Sequence, residues 1–337
     1  MTTQLRTGHE IQLAARPDGV PTAANFALVQ RPIPELADGQ ILVRNTWMSV
    51  DPYMRGRMDD RPSYIPPFEL GAALEGSAVG EVIESRSAAI PVGSTVSHFA
   101  GWRELAVVDA EAANPIDTTL AAPQQYLGAL GTTGLTAYAA LTEVAPVRPG
   151  DTVFISAAAG AVGSVAGQIA KALGAARVIG SAGGPAKTAL LRDEFGFDAT
   201  IDYRAGDLAG QLAAAAPQGI DVYLDSVGGE HLRVAVEAIG QHGRIALVGA
   251  ISGYNGVEPA RTPDLYLAAT KEVTLRGMLV TSYLGLFPEY IGKAAAWLAD
   301  GTLRTRETVY EGLDQAPAAF LGVLSGANTG KMLVRLG

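Results

Sequence analysis

The chain has 337 residues, a formal net charge of −9 at pH 7 and no cysteine. The acidic balance, without a run of basic residues, argues against a nucleic-acid surface, and the absence of cysteine excludes disulfides, thiolate catalysis and zinc sites with sulfur ligands. The length exceeds what one ordinary core serves and predicts two domains. The N-terminus lacks a continuous apolar core of signal-peptide length, so the cytoplasm is the expected compartment.

The first 120 residues carry short strand-like runs separated by glycine and proline, without helical periodicity between them. These runs are 41–51, 76–84 and 94–109. They predict a mainly antiparallel, barrel-like unit. The C-terminal run 330–337 is again strand-like and is expected to return to this unit. The first domain is therefore predicted over 1–122 and completed by 303–337, with 123–302 as the second domain.

From Asp151 onward, strand-like and helix-like segments alternate. The predicted strands are 152–156, 177–181, 199–203, 221–228, 244–250 and 272–280. Six apolar strands joined by helical crossovers are typical of a parallel, doubly wound sheet with both faces covered. The sequence therefore predicts an α/β fold with a second, mainly-β domain.

The stretch 153–171 carries no charge before Lys171. Glycine, serine and glutamine interrupt it, and small residues contribute little transfer energy, so we do not expect a membrane span. It follows the first predicted strand and opens a helix, with the spacing Ala157-x-x-Gly160-x-x-Gly163. In this context the turn predicts a pyrophosphate site, where Gly160 lets the backbone approach the phosphates. Its first position is alanine instead of glycine, and the alternative is that the small residues only pack the helix on the sheet.

The preference between NAD and NADP can be inferred from the absence of an acidic residue after the second strand. An NAD site usually places Asp or Glu about twenty residues after the glycine turn, where it accepts from the ribose 2′-hydroxyl. No acid occurs from Ala175 to Arg192. Lys187 and Tyr203 lie where both could reach a 2′-phosphate, and the alternative is a solvated helix lysine and a strand-end tyrosine. The sequence therefore favours NADP(H).

Motifs along nearly the whole chain carry a family resemblance. They are SVDPYMRGRM (49–58), AAAGAVGSVAGQIAK (157–171), FGFDATIDYR (195–204), VYLDSVGGEHL (222–232), GRIALVGAISGYN (243–255) and GANTGKMLV (326–334). Together they resemble the zinc-independent medium-chain dehydrogenase/reductase family, in the branch of prostaglandin reductases, plant double-bond reductases and bacterial curcumin reductases. The resemblance implies a GroES-like catalytic domain, a Rossmann domain, NADPH as hydride donor and, commonly, a homodimer.

The resemblance also implies which residues contact the cofactor. They are Ala159, Gly160, Ala161, Val162, Gly163, Lys187, Tyr203, Ser226, Val248, Gly249, Ala250, Ile251, Ser252, Met278, Leu279, Val280 and Asn328. The segment from Gly160 to Gly163 would hold the pyrophosphate, and the segment from Met278 to Val280 would contact the nicotinamide. Ser226 stands where relatives often have asparagine, which leaves its contact open.

No metal site is expected. Zinc-dependent members of the family present an early cysteine and a Gly-His-Glu segment, whereas here Leu74 stands in place of the histidine and Glu75 remains. The histidines, at positions 9, 98, 231 and 242, show no ligand spacing. Without a Lewis acid, alcohol oxidation by that route is disfavoured.

The implied activity is NADPH-dependent reduction of the carbon–carbon double bond of a small α,β-unsaturated ketone or aldehyde. Hydride reaches the β-carbon, the enolate is stabilised and the α-carbon is protonated. Tyr254 is the first catalytic candidate, because its loop leaves the carboxyl end of the fifth strand; alternatively it packs on the cofactor or fixes a ribose hydroxyl. Tyr53 is the second, expected to line the substrate cleft. Its neighbours Arg55 and Arg57 either face solvent or meet an acidic substrate.

Two alternatives remain for the whole chain. One is an NADPH-dependent quinone oxidoreductase, and the other is a non-catalytic NADPH-binding protein. No nucleic-acid or membrane partner is expected, whereas a homodimer is expected.

Overall fold

The structure is a computed structural model that describes residues 6–256 and 262–337. Its contacts divide the chain into two units. The first comprises Met1–Leu127, Glu307–Asn328 and Met332–Gly337, and the second comprises Gly128–Arg306 and Thr329–Lys331. The domain boundaries expected from the sequence stay a prediction.

The strands are numbered in chain order. They are β1 (Thr7–Leu13), β2 (Phe26–Pro32), β3 (Gln40–Ser49), β4 (Ala78–Ser85), β5 (Thr95–His98), β6 (Leu105–Asp109), β7 (Asn114–Pro115), β8 (Thr152–Ile155), β9 (Arg177–Ala182), β10 (Ala199–Asp202), β11 (Ile220–Asp225), β12 (Ile239–Leu247), β13 (Thr274–Gly277), β14 (Glu307–Glu311) and β15 (Lys331–Arg335).

The α-helices are numbered in the same way. They are α1 (Met54–Arg57), α2 (Thr132–Ala139), α3 (Ala161–Ala172), α4 (Pro185–Asp193), α5 (Leu208–Ala215), α6 (Gly229–Ala238), α7 (Leu265–Thr270), α8 (Phe287–Asp300) and α9 (Ala316–Leu324). A π-helical segment, Ala140–Val144, follows α2. Short 3-10 segments cover Ala23–Asn25, Ala110–Ala112, Pro123–Leu127, Tyr203–Ala205, Ile251–Gly253, Val280–Leu286 and Leu313–Gln315.

The first unit is built on antiparallel pairing around β3. This strand pairs with β4, with β6 and with the C-terminal strand β15, where Leu333 lies opposite Ser49. Its core contains a stacked pair of rings, Phe26 and Trp102, with centroids 6.1 Å apart, and Phe320 of α9 packs edge-on against both. The prediction of a mainly antiparallel unit is confirmed.

The second unit contains a six-stranded sheet in the order β10-β9-β8-β11-β12-β13. All five pairings are parallel. Counted within the unit, this is the order 3-2-1-4-5-6 of a doubly wound fold, and the strand order reverses between β8 and β11. The predicted α/β fold is confirmed, and ligands of such sheets bind outside the carboxyl ends of the strands at this reversal.

The last strand of this sheet differs from the prediction of a long apolar strand over 272–280. β13 spans only Thr274–Gly277, and each of its residues is exposed. It lies at the edge of the sheet with β12 as its neighbour, so no second strand covers it among the described residues. The helices α2 and α7 are further elements that the sequence pattern did not predict.

The uncharged stretch 153–171 folds as β8, a tight turn and α3, all within the second unit. Across the two described ranges, no helix combines the length and the apolar character that a membrane crossing requires.

Candidate functional site

The glycine turn joins β8 to α3 at the carboxyl edge of the sheet. Gly160 is the N-cap of α3, and its backbone N–H donates to the carbonyl of Ala157 at 2.9 Å. Ala157 has a φ of +46°, in the left-handed region that glycine adopts at least cost. The alanine at the first motif position therefore keeps the backbone shape of a glycine turn, and it stores strain of about 1–2 kcal/mol.

Gly163 brings α3 close to this turn. A β-carbon built on Gly163 would lie 2.5 Å from the carbonyl oxygen of Ala157 and 2.6 Å from the α-carbon of Ala158. Both are backbone atoms, which cannot rotate away. The missing side chain is therefore required for the helix N-terminus to approach the turn, which is the geometry that an anion site at a helix start needs.

A second pair of glycines, Gly167 and Gly180, packs against the ring of Phe197, a contact that the glycine motif does not predict. β-carbons on Gly167 and Gly180 would lie 2.1 Å and 2.7 Å from the ring of Phe197. Phe197 is buried in the segment between α4 and β10. The small residues of the stretch 153–171 therefore form the turn and also allow α3 to pack closely against the sheet.

The loop after β9 lies at the predicted 2′-phosphate end of the site. A β-carbon on Gly183 would lie 2.8 Å from the Tyr203 hydroxyl, so the phenol reaches across this glycine. Lys187 is half-buried on α4, and burial lowers the pKa of its ammonium group. Arg204, which is not among the residues predicted to bind the cofactor, has its Nε 2.8 Å from the same β-carbon position. The loop thus gathers a phenol and cationic side chains at the ends of β9 and β10.

The carboxyl end of β11 presents buried polar groups at the strand-order reversal. Asp225 is fully buried, and its Oδ1 accepts from the backbone N–H groups of Val227 and Gly228 at 2.9 Å and 2.8 Å. Within the described chain, its Oδ2 and the buried hydroxyl of Ser226 have no hydrogen-bond partner. Buried polar atoms of this kind call for a ligand or an ordered water. The edge is therefore suited to a polar group such as a ribose hydroxyl.

The loop after β12 contains Tyr254. The backbone N–H groups of Val248 and Gly249 donate to the carbonyl of Asp225 at 2.8 Å and 3.1 Å, which ties this loop to the end of β11. The Tyr254 hydroxyl accepts from the backbone N–H of Ala250 at 3.4 Å. The remaining predicted contacts of this loop, Ile251 and Ser252, hydrogen bond to the carbonyls of Ser226 and Val227. The structure therefore brings 226, 248–252 and 254 together at one edge.

Known proteins match nearly the whole chain. Residues 9–116 match the family model described as the N-terminal domain of oxidoreductase, and residues 161–300 match the one described as zinc-binding dehydrogenase. The NADPH-dependent curcumin reductase of Escherichia coli is 36% identical over 330 residues, which are 96% of this chain and 95% of the relative. The NADP(+)-dependent 2-alkenal reductase of Nicotiana tabacum is 37% identical over 310 residues, 90% and 88% of the two chains.

A solved structure extends the similarity to the fold. CurA from Vibrio vulnificus in complex with NADPH has a TM-score of 0.92 and 38% identity, covering 98% of this chain and 99% of that one. The chain belongs to the zinc-independent branch of the medium-chain dehydrogenase/reductase family. Members of this family are oxidoreductases, which confirms the predicted class of enzyme.

The histidines of this reductase have ordinary structural roles where they are buried. His98 contacts the Asn45 side chain at 2.8 Å, and burial lowers its pKa to about 4. His231 contacts the Ser181 hydroxyl at 2.9 Å, and burial lowers its pKa as well. In the part of the chain that the structure describes, no group of three or more His, Asp or Glu side chains is arranged to hold a metal ion.

Tyr53, the second catalytic candidate, lies at the start of α1 in the first unit. Its hydroxyl is buried and has no hydrogen-bond partner among residues 6–256 and 262–337. Burial and, next, the charge of Asp51 raise its pKa above the usual range, so it keeps its proton. Its catalytic role stays a prediction.

The two arginines beside Tyr53 are buried, so the expectation that they face solvent is wrong. Arg55 pairs with Asp59 at 2.6 Å, and Arg57 pairs with Glu75 at 2.9 Å. The guanidinium of Arg57 also lies 4.0 Å from the centre of the Phe68 ring. Both arginines are thus held by neighbours of the first unit.

The remaining predicted cofactor contacts lie at two chain segments. Met278 follows β13, and its backbone N–H donates to the carbonyl of Leu247 at 3.0 Å. Gly330 donates its backbone N–H to the carbonyl of Ala159 at 2.7 Å, so the C-terminal return meets the glycine turn within the second unit. Asn328 precedes Gly330 by two residues, and its cofactor contact stays a prediction.

Proposed function

We propose that this reductase transfers hydride from NADPH to the β-carbon of an α,β-unsaturated ketone or aldehyde. The observation that carries the cofactor choice is the loop after β9, where the Tyr203 hydroxyl reaches Gly183, Lys187 follows on α4 and no acid stands from Ala175 to Arg192. The absence of a carboxylate removes the group that would bind a free ribose 2′-hydroxyl and repel a 2′-phosphate. The curcumin and 2-alkenal reductases among the relatives support the substrate class.

The side chains and backbone described above fit a dinucleotide. The turn at Gly160 and Gly163 would hold the pyrophosphate, since its backbone is open to a close approach. The buried Ser226 hydroxyl would bind a ribose hydroxyl. Bound NADPH supplies the hydride, while the protein supplies orientation and electrostatics.

The chain's own contribution to chemistry is a donor for the oxygen that becomes negative. Hydride addition at the β-carbon places charge on the carbonyl oxygen, and an O–H group aimed at that oxygen stabilises the enolate. The Tyr254 hydroxyl accepts from Ala250 and donates to no other described residue. Its hydrogen is therefore open to a substrate oxygen, and water or a side chain then protonates the α-carbon.

The substrate class is tested by NADPH consumption on a panel. We expect turnover of 2-alkenals and enones, with the saturated product identified by mass spectrometry, and none of the matching saturated aldehydes and ketones. Turnover of quinones alone would favour the quinone oxidoreductase alternative. NADPH binding without turnover of any member of the panel would favour a non-catalytic binding protein, and turnover of the saturated carbonyls alone would contradict the proposal.

Tyr254→Phe tests the donor. We expect kcat for an enone to fall about 10- to 100-fold, because one oxyanion donor is lost, with the Kd for NADPH changed less than about twofold. Tyr126→Phe is the matched control, since its hydroxyl donates to the Asp117 carbonyl in the first unit. Unchanged kcat with weakened NADPH binding would instead assign Tyr254 to cofactor positioning.

The homodimer is proposed on the exposed edge of the six-stranded sheet. β13 leaves backbone groups unpaired on one side among the described residues, and large exposed apolar side chains occur along this part of the chain: Leu265, Tyr266, Leu275, Leu279 and Leu284. An apolar strand edge is a template for pairing with another chain. Sedimentation is expected to give twice the chain mass.

Leu275→Lys is expected to shift this protein towards the monomer, because it places a charge on the strand edge. Leu120→Lys, at a more exposed leucine of the first unit, should leave the mass unchanged. A wild-type protein that sediments as a monomer at micromolar concentration would rule out the proposed assembly.

A further inference from the structure

Asp225 is a fully buried carboxylate at the end of β11. Its Oδ1 accepts from the backbone N–H groups of Val227 and Gly228 at 2.9 Å and 2.8 Å, from the Tyr223 hydroxyl at 2.8 Å and from the Ser156 hydroxyl at 3.2 Å. Donors that converge on one carboxylate oxygen stabilise its negative charge. The other oxygen, Oδ2, has no hydrogen-bond partner among the described residues. The carboxylate is therefore held firmly on one side only.

No cation balances this charge. Within residues 6–256 and 262–337, no lysine or arginine side chain forms an ion pair with Asp225. The imidazole of His231 lies within its electrostatic reach, but burial lowers the pKa of this ring, and the charge of Asp225 offsets only part of that shift. The ring is therefore neutral at neutral pH. A buried charge without a counter-charge acts over a longer distance than a surface charge, because water does not screen it.

Asp225 lies between the two parts of the predicted cofactor site. In the sheet order β8-β11-β12-β13, its strand separates the glycine turn after β8 from the segments that follow β12 and β13. Its side chain contacts Ser156, which follows β8, and its backbone carbonyl accepts from the N–H groups of Val248 and Gly249. The turn is expected to hold the pyrophosphate, and the segment 278–280 is expected to contact the nicotinamide. The buried charge therefore stands between the expected positions of these two groups.

We propose that the Asp225 carboxylate tunes the reduction potential of the bound cofactor by stabilising NADP⁺ more than NADPH. The inference rests on the proposed hydride transfer from NADPH. Loss of the hydride leaves a positive charge on the nicotinamide ring, whereas the phosphates are the same in both forms, so their repulsion by Asp225 cancels in the comparison. A negative charge near the ring therefore favours the oxidised form and makes bound NADPH a stronger hydride donor. At an effective dielectric constant of about 20, two unit charges about 10 Å apart still change an equilibrium constant about tenfold.

Calorimetric titration of NADPH and NADP⁺ into Asp225→Asn tests the charge without any turnover. Asparagine keeps an acceptor oxygen for the N–H groups of Val227 and Gly228 and removes the charge. We expect the Kd for NADP⁺ divided by the Kd for NADPH to rise about three- to tenfold above the wild-type ratio, which corresponds to about 15–30 mV for a two-electron couple. Asp225→Glu keeps the charge and should return the ratio towards that of the wild type.

Asp221→Asn is the matched control, because Asp221 lies near the opposite end of the same strand. Its Oδ2 accepts from the backbone N–H of Thr152 at 2.8 Å. The rise along a strand places the α-carbons of these two aspartates about 13 Å apart. The same loss of charge at Asp221 should therefore leave the ratio of the two Kd values within about twofold of the wild type.

The outcomes separate this inference from the proposed function. An Asp225→Asn variant with the wild-type ratio, whether both forms bind as before or both are weakened equally, would overturn the inference and leave enone reduction standing. Asp225→Ser, whose hydroxyl can accept from the same N–H groups, replaces Asp225→Asn if that variant does not fold. Failure of both variants to fold would show a structural role alone and also overturn the inference. A wild type that binds neither form of the cofactor would overturn the proposed function, and the inference with it.

Discussion

Gly163→Ala is expected to destabilise the protein by about 1–3 kcal/mol and to weaken NADPH binding at least tenfold. Its new methyl group would lie 2.5–2.6 Å from backbone atoms of Ala157 and Ala158, so α3 must move away from the turn. That movement withdraws the helix N-terminus from the position that a pyrophosphate would occupy. Thermal unfolding and calorimetric titration measure the two effects.

The control for this variant is the same substitution at Gly292. This glycine lies in α8, is exposed and has no atom within 4 Å of its β-carbon position. Alanine there is expected to raise stability by about 0.5–1 kcal/mol, because it favours the helix and meets no clash. If Gly163→Ala behaved like Gly292→Ala in both measurements, close approach of α3 to the turn would not be required.

Arg244→Met is expected to lower the free energy of unfolding by about 3–5 kcal/mol. Arg244 in β12 pairs with Asp151 at 2.9 Å, and the two side chains are only 9% and 11% exposed. Arg244 also donates to the Pro146 carbonyl, and Asp151 accepts from the backbone N–H of Arg148 at 2.7 Å. Removal of the guanidinium leaves a buried carboxylate without its counter-charge, which is costly. Urea unfolding measures the loss.

The exposed pair of Arg306 and Glu194 provides the control. Both groups of this pair are about half exposed, with N–O distances of 2.8 Å, so Arg306→Met is expected to cost less than about 1 kcal/mol. An Arg244→Met variant no less stable than Arg306→Met would show that water reaches Asp151 and screens it.

The sheet of the second unit was predictable because most of its strands are buried on both faces. β8, β9, β11 and β12 are largely buried, and buried parallel strands appear in the sequence as continuous apolar runs. The exposed β13 does not follow this rule, since its one large apolar side chain, Leu275, is exposed. The helix α2 was missed because it is buried nearly all round and shows no alternation of apolar and polar faces.

The glycine turn and the acid-free loop were visible in the sequence because each depends on local spacing. Gly160 and Gly163 act through the backbone within one turn of helix. The missing carboxylate is recognised by reading the residues about twenty positions after the turn, where an NAD site usually has Asp or Glu. The left-handed φ of Ala157 is local but is not predictable from the sequence, because alanine seldom adopts this conformation.

Contacts between residues far apart in the sequence could be identified only in the folded structure. Phe197 fills the space left by Gly167 and Gly180, Gly330 meets Ala159, and Asp202 joins the loops after β9 and β10. A pattern of hydrophobicity records which face of an element is buried, but it does not record which strand becomes its neighbour. The family, the fold and the phosphate turn follow from local pattern. The placement of Arg204 beside Gly183 depends on the parallel pairing of two strands about twenty residues apart in the chain.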